Sequence, residues 1–502
     1  MTLKNKKKIK NSLEFILALC VIQLLCSLTV FAQQLEAKIK IVSVASQSAR
    51  IEGRFLNPKD NFSGRNWSFL QNYADVTGLG RRVENLNLFD EAGNKIEVKK
   101  LTDGEFLAEK PAASFAYNVK TEVPNRLISA AHVSWISDEL GLLMLNDLLP
   151  KWGTNQPISA RITLEIPDGW KTQSHETQNP ANAFDVKNIE NAIFLIGKNW
   201  REKTIKVDRT DLNLAIAGEW QFSDDEALQM AGSILEETRK IFGEIPVARA
   251  QIFLLPFPLQ TNQFDRWQAE TRGANVMILS GAIPFKSRAV QRLHEQLRHE
   301  IFHLWMPNAV ALSGNYDWFY EGFTVYAALR MGVEVNQIRF EDYLDTLARA
   351  FDMAQNQSDS LIEISNKRWA GGSNSVYAKG MLAAFLSDVA LLRASRGRHS
   401  LSKIFREIYQ KHRLPNSFQD GNAAILNVLK SYPELRFVVQ NYIEGNAKID
   451  WTDELKNLGI EAGKNESGTL LKVIAKPSER QKDLLDKLGY NQWRRLLRKE
   501  KK

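Results

Sequence analysis

Residues 299 to 303 read His299-Glu300-Ile301-Phe302-His303, and Glu321 follows eighteen positions after the second histidine. No other stretch restricts the backbone as much. Histidines four apart differ by about 40° in azimuth on an α-helix, so both imidazoles leave one face only if this run is helical. A second helix must then bring Glu321 back to that face. Two neutral imidazoles and one carboxylate suit a tetrahedral zinc ion with the fourth position left for water, whose pKa such a metal lowers to about 7. Glu300, beside the ligands, is the expected general base.

The neighbouring candidates fit less well. His294 lies five positions before His299, about 140° around the helix, and reads as an ordinary helix residue. Asp317 competes with Glu321 on spacing alone, but it sits just before an apolar helix and reads as its N-cap. The expectation is one Zn2+ per chain on His299, His303 and Glu321. The plain alternative is a helix whose histidines are surface or satisfied core groups.

At 502 residues the chain exceeds what a single core fills, so several domains are expected. The first residues are rich in lysine and lead into an apolar run from Leu13 to Ala32, the pattern of a secretory signal peptide cut before Gln33. An uncleaved membrane anchor of the same span is the alternative. Both cysteines, Cys20 and Cys26, fall in this run, so a mature protein has no disulfide and depends on packing. A bacterial periplasmic or secreted protein is expected.

Net charge is +8, with +4 in residues 1–32 and +6 in residues 476–502, which leaves about −2 for the body. Basicity confined to the two ends gives no support to a nucleic-acid-binding surface, and nucleic acid is not an expected partner. From Leu35 to about Phe222 the pattern is short alternating segments, as at residues 38–42, 114–119 and 160–166, separated by turns such as Pro167-Asp168-Gly169. These read as antiparallel strands of a β-sandwich. The texture changes at Ser223-Asp224-Asp225-Glu226, a capping box opening an amphipathic helix that Gly243 stops. Apolar strands at 251–255 and 275–279 follow, and beyond Ser287 the chain reads as mostly helical.

The fold expected is therefore multidomain, an N-terminal antiparallel β-sandwich followed by an α+β, mostly helical catalytic domain. The units expected are a signal peptide at 1–32, the sandwich at 33–222, the catalytic domain at 223–450 and a C-terminal extension at 451–502. The extension carries a capping box, Ser478-Glu479-Arg480-Gln481, then Leu484, Leu485 and Leu488, and ends with Trp493, Leu496 and Leu497 among arginines and lysines. Two readings apply: peripheral contact with an anionic membrane through a basic amphipathic helix, or a terminal helix docked on the body.

The motif His299-Glu300-x-x-His303-x-Trp305, followed by Trp318-x-x-Glu321-Gly322-x-Thr324-x-Tyr326, resembles the glycyl aminopeptidase family of gluzincin zinc metallopeptidases. The likeness continues through Tyr377-Ala378-Lys379-Gly380 and Gly397-Arg398-His399-Ser400-Leu401. It implies a thermolysin-like catalytic domain behind a strand-rich one, and it places oxyanion stabilisation on Tyr377. Trp305 and Trp318 read as packing residues, and Thr324 as a candidate partner of a ligand or of its own backbone.

Two departures from the family accompany the likeness. Aminopeptidases of this clan resemble one another in a glycine-rich strand whose glutamate binds the substrate's free α-amine. Here that stretch reads Gly273-Ala274-Asn275-Val276-Met277, with Val276 at the glutamate's place and Glu270 the nearest acid. Many relatives also carry a C-terminal PDZ domain, for which the residues after Gly445 leave no room. The expected function is an exported zinc metallopeptidase acting on peptides, in aminopeptidase or endopeptidase mode. Oligomeric state is not readable. The alternative is a catalytically silent member of the same fold that binds peptides or envelope proteins.

Overall fold

The structure, a computed structural model, describes residues 34–57, 64–153, 157–259, 261, 263–368 and 373–492. The expected signal segment with both cysteines, and the basic end from Trp493, lie outside the described residues.

Alternation builds the first layers. In Leu35–Ser43 the residues Leu35, Ala37, Ile39 and Ile41 are buried while Lys38 and Lys40 face water, which is how a strand seals one face of a sheet. This strand pairs antiparallel with Ser48–Phe55 inside an eight-stranded sheet that also holds Ser114–Lys120 and Val83–Phe89. The expected antiparallel sheet has one exception: Leu35–Ser43 runs parallel to Ala160–Glu165. The chain passes through several other strands between these two, so it can re-enter from the same end.

A four-stranded sheet with Leu140–Met144 and Ile193–Gly197 at its centre lies behind the first. Those two central strands are apolar throughout because both faces are covered. Phe194 and Ile196 point into a core with Ile39, Ile51 and Phe115, whereas Ile193 and Leu195 point into a second core with Phe253, Leu255, Met277 and Leu279. The last four belong to a five-stranded sheet, whose opposite face carries Ile252, Leu254, Val276 and Ile278 into a third core shared with the helices. The sandwich and the helical body are thereby joined through a continuous apolar layer.

The boundary expected at Ser223 falls inside this arrangement. The hairpin Trp200–Val207 and Thr210–Ala217 belongs to the five-stranded sheet, where Thr210–Ala217 runs parallel to Arg249–Pro256. Its alternation is indistinguishable from that of the sandwich strands; only its pairing assigns it. The capping box does form, with the Ser223 hydroxyl accepting from the Glu226 amide at 3.1 Å, and the helix Asp224–Phe242 stops at Gly243 with φ 102°.

The residues after 450 are packed into the helical body. Trp451, Leu455, Leu458, Leu484, Leu485 and Leu488 share the core of the helical body, and Arg330 donates to the carbonyls of Lys487 and Leu488. The leucine face of the helix Glu479–Lys487 is therefore covered, so the membrane reading loses its apolar surface there. The segment Ser375–Ala394 is apolar and long enough to cross a membrane, but it is 89% buried within the protein.

Candidate active site

The helix Lys286–Phe302 carries the first ligands, and His303 follows at its end with α-helical angles. Both imidazoles therefore keep the four-residue offset. His299 Nε2 lies 3.1 Å from His303 Nε2 and 3.2 Å from Glu321 Oε2, and His303 Nε2 is 3.5 Å from the same oxygen. Ligands about 2.0–2.2 Å from a tetrahedral zinc ion lie about 3.3–3.6 Å apart, so the spacing fits. The tautomer fits too. His303 Nδ1 donates to the Met306 carbonyl at 2.8 Å, which leaves Nε2 a bare lone pair. The bare Nε2 of His303 faces a carboxylate oxygen, two acceptors that a cation between them would satisfy.

Glu321 sits on a single turn of π-helix, Trp318–Phe323, that runs into the helix Thr324–Glu334. Such turns displace one side chain from regular spacing and recur at functional sites. The next residue, Gly322, meets Gly380 of the helix Ser373–Ala394, where a Cβ on either would lie 2.6 Å from the other's Cα. Two glycines thus let the helices cross closely, and the crossing brings Tyr377 to the site. Its ring centroid is 6.5 Å from that of His299. Nearby, Lys379 is buried and donates to the Asp359 carbonyl.

The electrostatics come from one guanidinium. Arg368 donates to Asp317 Oδ2 at 2.8 Å, to Glu321 Oε1 at 3.1 Å and to the Tyr377 hydroxyl at 2.6 Å. Burial opposes ionisation of Glu321, but the Arg368 guanidinium beside it holds its carboxyl well below the usual range. Burial and the Glu321 charge push the Tyr377 phenol up, so it keeps its proton. Asp317 does not supply the side-chain cap expected from sequence: it makes no cap bond and instead accepts from Arg368 and from Tyr320 at 2.6 Å.

Glu300 is buried, and burial raises its carboxyl despite the adjacent imidazoles. The Thr271 hydroxyl lies 2.8 Å from its Oε2 and 3.0 Å from its main-chain carbonyl. Thr271 belongs to Trp267–Arg272, the edge strand of the five-stranded sheet. Val276 is on the adjacent inner strand, opposite Thr271, and is fully buried in the helical core. The acid on the edge strand is Glu270, whose Oε1 accepts from Tyr73 and Arg272 and whose Oε2 contacts His132 and Arg272. Although burial alone would raise it, Arg272 and His132 draw Glu270 down to about 2.

The remaining sequence candidates are structural. Trp305 stacks on Phe242 and donates to the Glu244 carbonyl at 2.8 Å, and Trp318 donates to Asn422 at 2.6 Å. The Thr324 hydroxyl is buried with no hydrogen-bond partner among the described residues. His294 contacts Arg298 at 2.5 Å, away from the ligands. Thr271 and Arg368 belong to no motif, and only contact reveals them.

No protein-family model matches this chain, and no curated protein matches it. Solved structures do. An aminopeptidase N family protein from Idiomarina loihiensis shares 15% identity over 89% of this chain and 82% of its own, with a TM-score of 0.72. The M1 zinc metallopeptidase from Deinococcus radiodurans shares 13% identity over 83% of this chain and 94% of its own, with a TM-score of 0.55. A mutant of that enzyme bound to a Tyr-Ser-Ala substrate shares 14% identity over 83% and 95%, with a TM-score of 0.56. The chain thus has the fold of the M1 zinc aminopeptidases, strand-rich layers followed by a helical domain, which is the gluzincin-like architecture expected from the motifs.

Proposed function

We propose that this chain is an exported zinc-dependent metallopeptidase that hydrolyses peptide bonds, with Glu300 as general base and Tyr377 as oxyanion donor. The observation that carries it is the convergence of His299, His303 and Glu321 within 4.8 Å of one another, with Glu300 on the same helix. Zinc bound by these three residues would acidify a water and polarise the scissile carbonyl. Thr271 fixes one oxygen of Glu300, which leaves the other to take the water's proton and pass it to the leaving amine. The Tyr377 hydroxyl keeps its proton and donates a hydrogen bond to the oxyanion as it develops.

A peptide substrate is supported by the edge strand Trp267–Arg272, which among the described residues pairs with a strand on one side only, so that an extended chain can add on the other, and by the neighbours bound to Tyr-Ser-Ala and to L-arginine. The motifs that resemble glycyl aminopeptidases support the same class. Export rests on the lysine-rich start and apolar run of residues 1–32. The silent-binder reading took its support from Val276, which lies in the core.

A digest of a peptide library by purified protein, with cut positions read by mass spectrometry, tests the proposal. One zinc per chain and cutting that Glu300→Gln abolishes while keeping the metal are expected. Cuts confined to the first bond assign aminopeptidase mode, and internal cuts assign endopeptidase mode. A zinc-loaded protein that leaves every peptide intact refutes the catalytic reading.

A further inference from the structure

We propose that Arg368 is a positioning residue that ties the carboxylate ligand of the metal to the oxyanion tyrosine, so that the two are set by one side chain. This rests on the peptidase reading above. A guanidinium only donates hydrogen bonds. The contact at 2.6 Å therefore makes the Tyr377 oxygen an acceptor and leaves its one proton free to point elsewhere. On the other side, Arg368 takes Glu321 Oε1 at 3.1 Å, while Oε2 is the oxygen facing His299 and His303. One carboxylate oxygen is thus committed to Arg368 and the other to the metal position. The third contact, to Asp317 at 2.8 Å, anchors the guanidinium to the residue that begins the π-helical turn.

The shape of the group matters as well as its charge. Its planar fork spans a carboxylate on one helix, a phenol on another and a second carboxylate, and it lies over the Tyr377 ring at 5.2 Å. One nitrogen of the fork serves Glu321 and Tyr377 while the other holds Asp317, so a lysine ammonium, with a single nitrogen, cannot keep the Asp317 anchor while it reaches the other two. The charge supports metal binding through Glu321; the fork adds alignment of Tyr377. The two effects are separable by substitution.

The test compares the wild type with Arg368→Gln, Arg368→Lys, Tyr377→Phe and the double variant Arg368→Gln/Tyr377→Phe. Zinc affinity is measured by chelator competition, independently of activity, beside kcat and KM on a peptide cut by the wild type. Loss of an outer partner of a metal ligand weakens binding by about 10–100-fold, and that loss is expected for Arg368→Gln. Its kcat falls with KM nearly unchanged. Tyr377→Phe keeps zinc affinity and lowers kcat, and in the double variant the two kcat losses do not multiply. Arg368→Lys, which preserves the positive charge and guards against misfolding of the glutamine variant, keeps most of the zinc affinity yet has low kcat.

A folded Arg368→Gln protein with wild-type zinc affinity overturns the proposal, as do kcat losses that simply multiply or an Arg368→Lys variant with wild-type kcat. A wild type that neither binds zinc nor cuts peptides overturns the peptidase reading, and this inference with it. A wild type that does both beside an indifferent Arg368→Gln removes only the inference.

Discussion

Arg368 lies 47 positions after Glu321 and Thr271 lies 29 before Glu300, and both touch a carboxylate of the site. The residues singled out from the chain, His299, Glu300 and His303, owe their visibility to helical periodicity, which acts over four positions. A contact across 47 positions leaves no such mark. Elsewhere, burial draws the His175 imidazole down to about 4 and pushes the adjacent Glu176 carboxyl up to about 7. The sign follows from proton counting. The folded state holds the Glu176 proton that an unfolded chain releases near pH 4.5, so this contribution to stability is full below 4.5 and is lost as pH rises to 7. His175 acts oppositely, losing stability as pH falls from 6.5 towards 4. Glu176→Gln should therefore gain stability relative to the wild type between pH 4.5 and 7, by at most about 3 kcal/mol. Urea unfolding at several pH values checks this, and a difference that does not change with pH contradicts it.

At the level of elements, the strands at 38–42, 114–119, 160–166, 251–255 and 275–279 and the helix after Ser223 were readable from period and capping; their pairings were not. The hairpin Trp200–Ala217 alternates like its predecessors, yet joins the catalytic sheet, and Glu270 and Val276 occupy neighbouring strands of that sheet with different exposures. Register places Thr271 opposite Val276, a relation that spacing along the chain does not contain. Gly322 packs directly against Gly380 where two helices cross. A methyl group there must part the helices, so Gly380→Ala should cost about 1–3 kcal/mol, the range for overpacking a tight interior. Because the same crossing carries Tyr377 towards His299, the variant should also lose kcat while keeping zinc. Denaturant unfolding and turnover measured together check this; unchanged stability would show that the crossing has slack.

Across the whole molecule, three apolar cores alternate with sheets, and the layer between the sandwich and the five-stranded sheet joins the two bodies. Polar contacts also cross this layer, since Tyr73 and His132 from the first body reach Glu270 in the second. Metal binding should stabilise the helical body that supplies the ligands. Free zinc at one hundred times its dissociation constant adds about 2.7 kcal/mol, so chelation should lower the melting temperature and added zinc should restore it. His303→Ala should abolish that response, and a melting temperature indifferent to chelation would exclude zinc from the folded site. What the amino-acid order determined alone is local: the helix that presents two imidazoles with Glu300, the alternation of the strands, and the capping box at Ser223. Periodicity and capping act within a turn or two of chain, so they are written in the sequence. Only the tertiary structure decided which strand flanks the metal helix, that Asp317 serves Arg368 rather than a cap, and that one guanidinium holds Glu321 and Tyr377 together. Those are contacts between distant segments, selected by how whole faces pack.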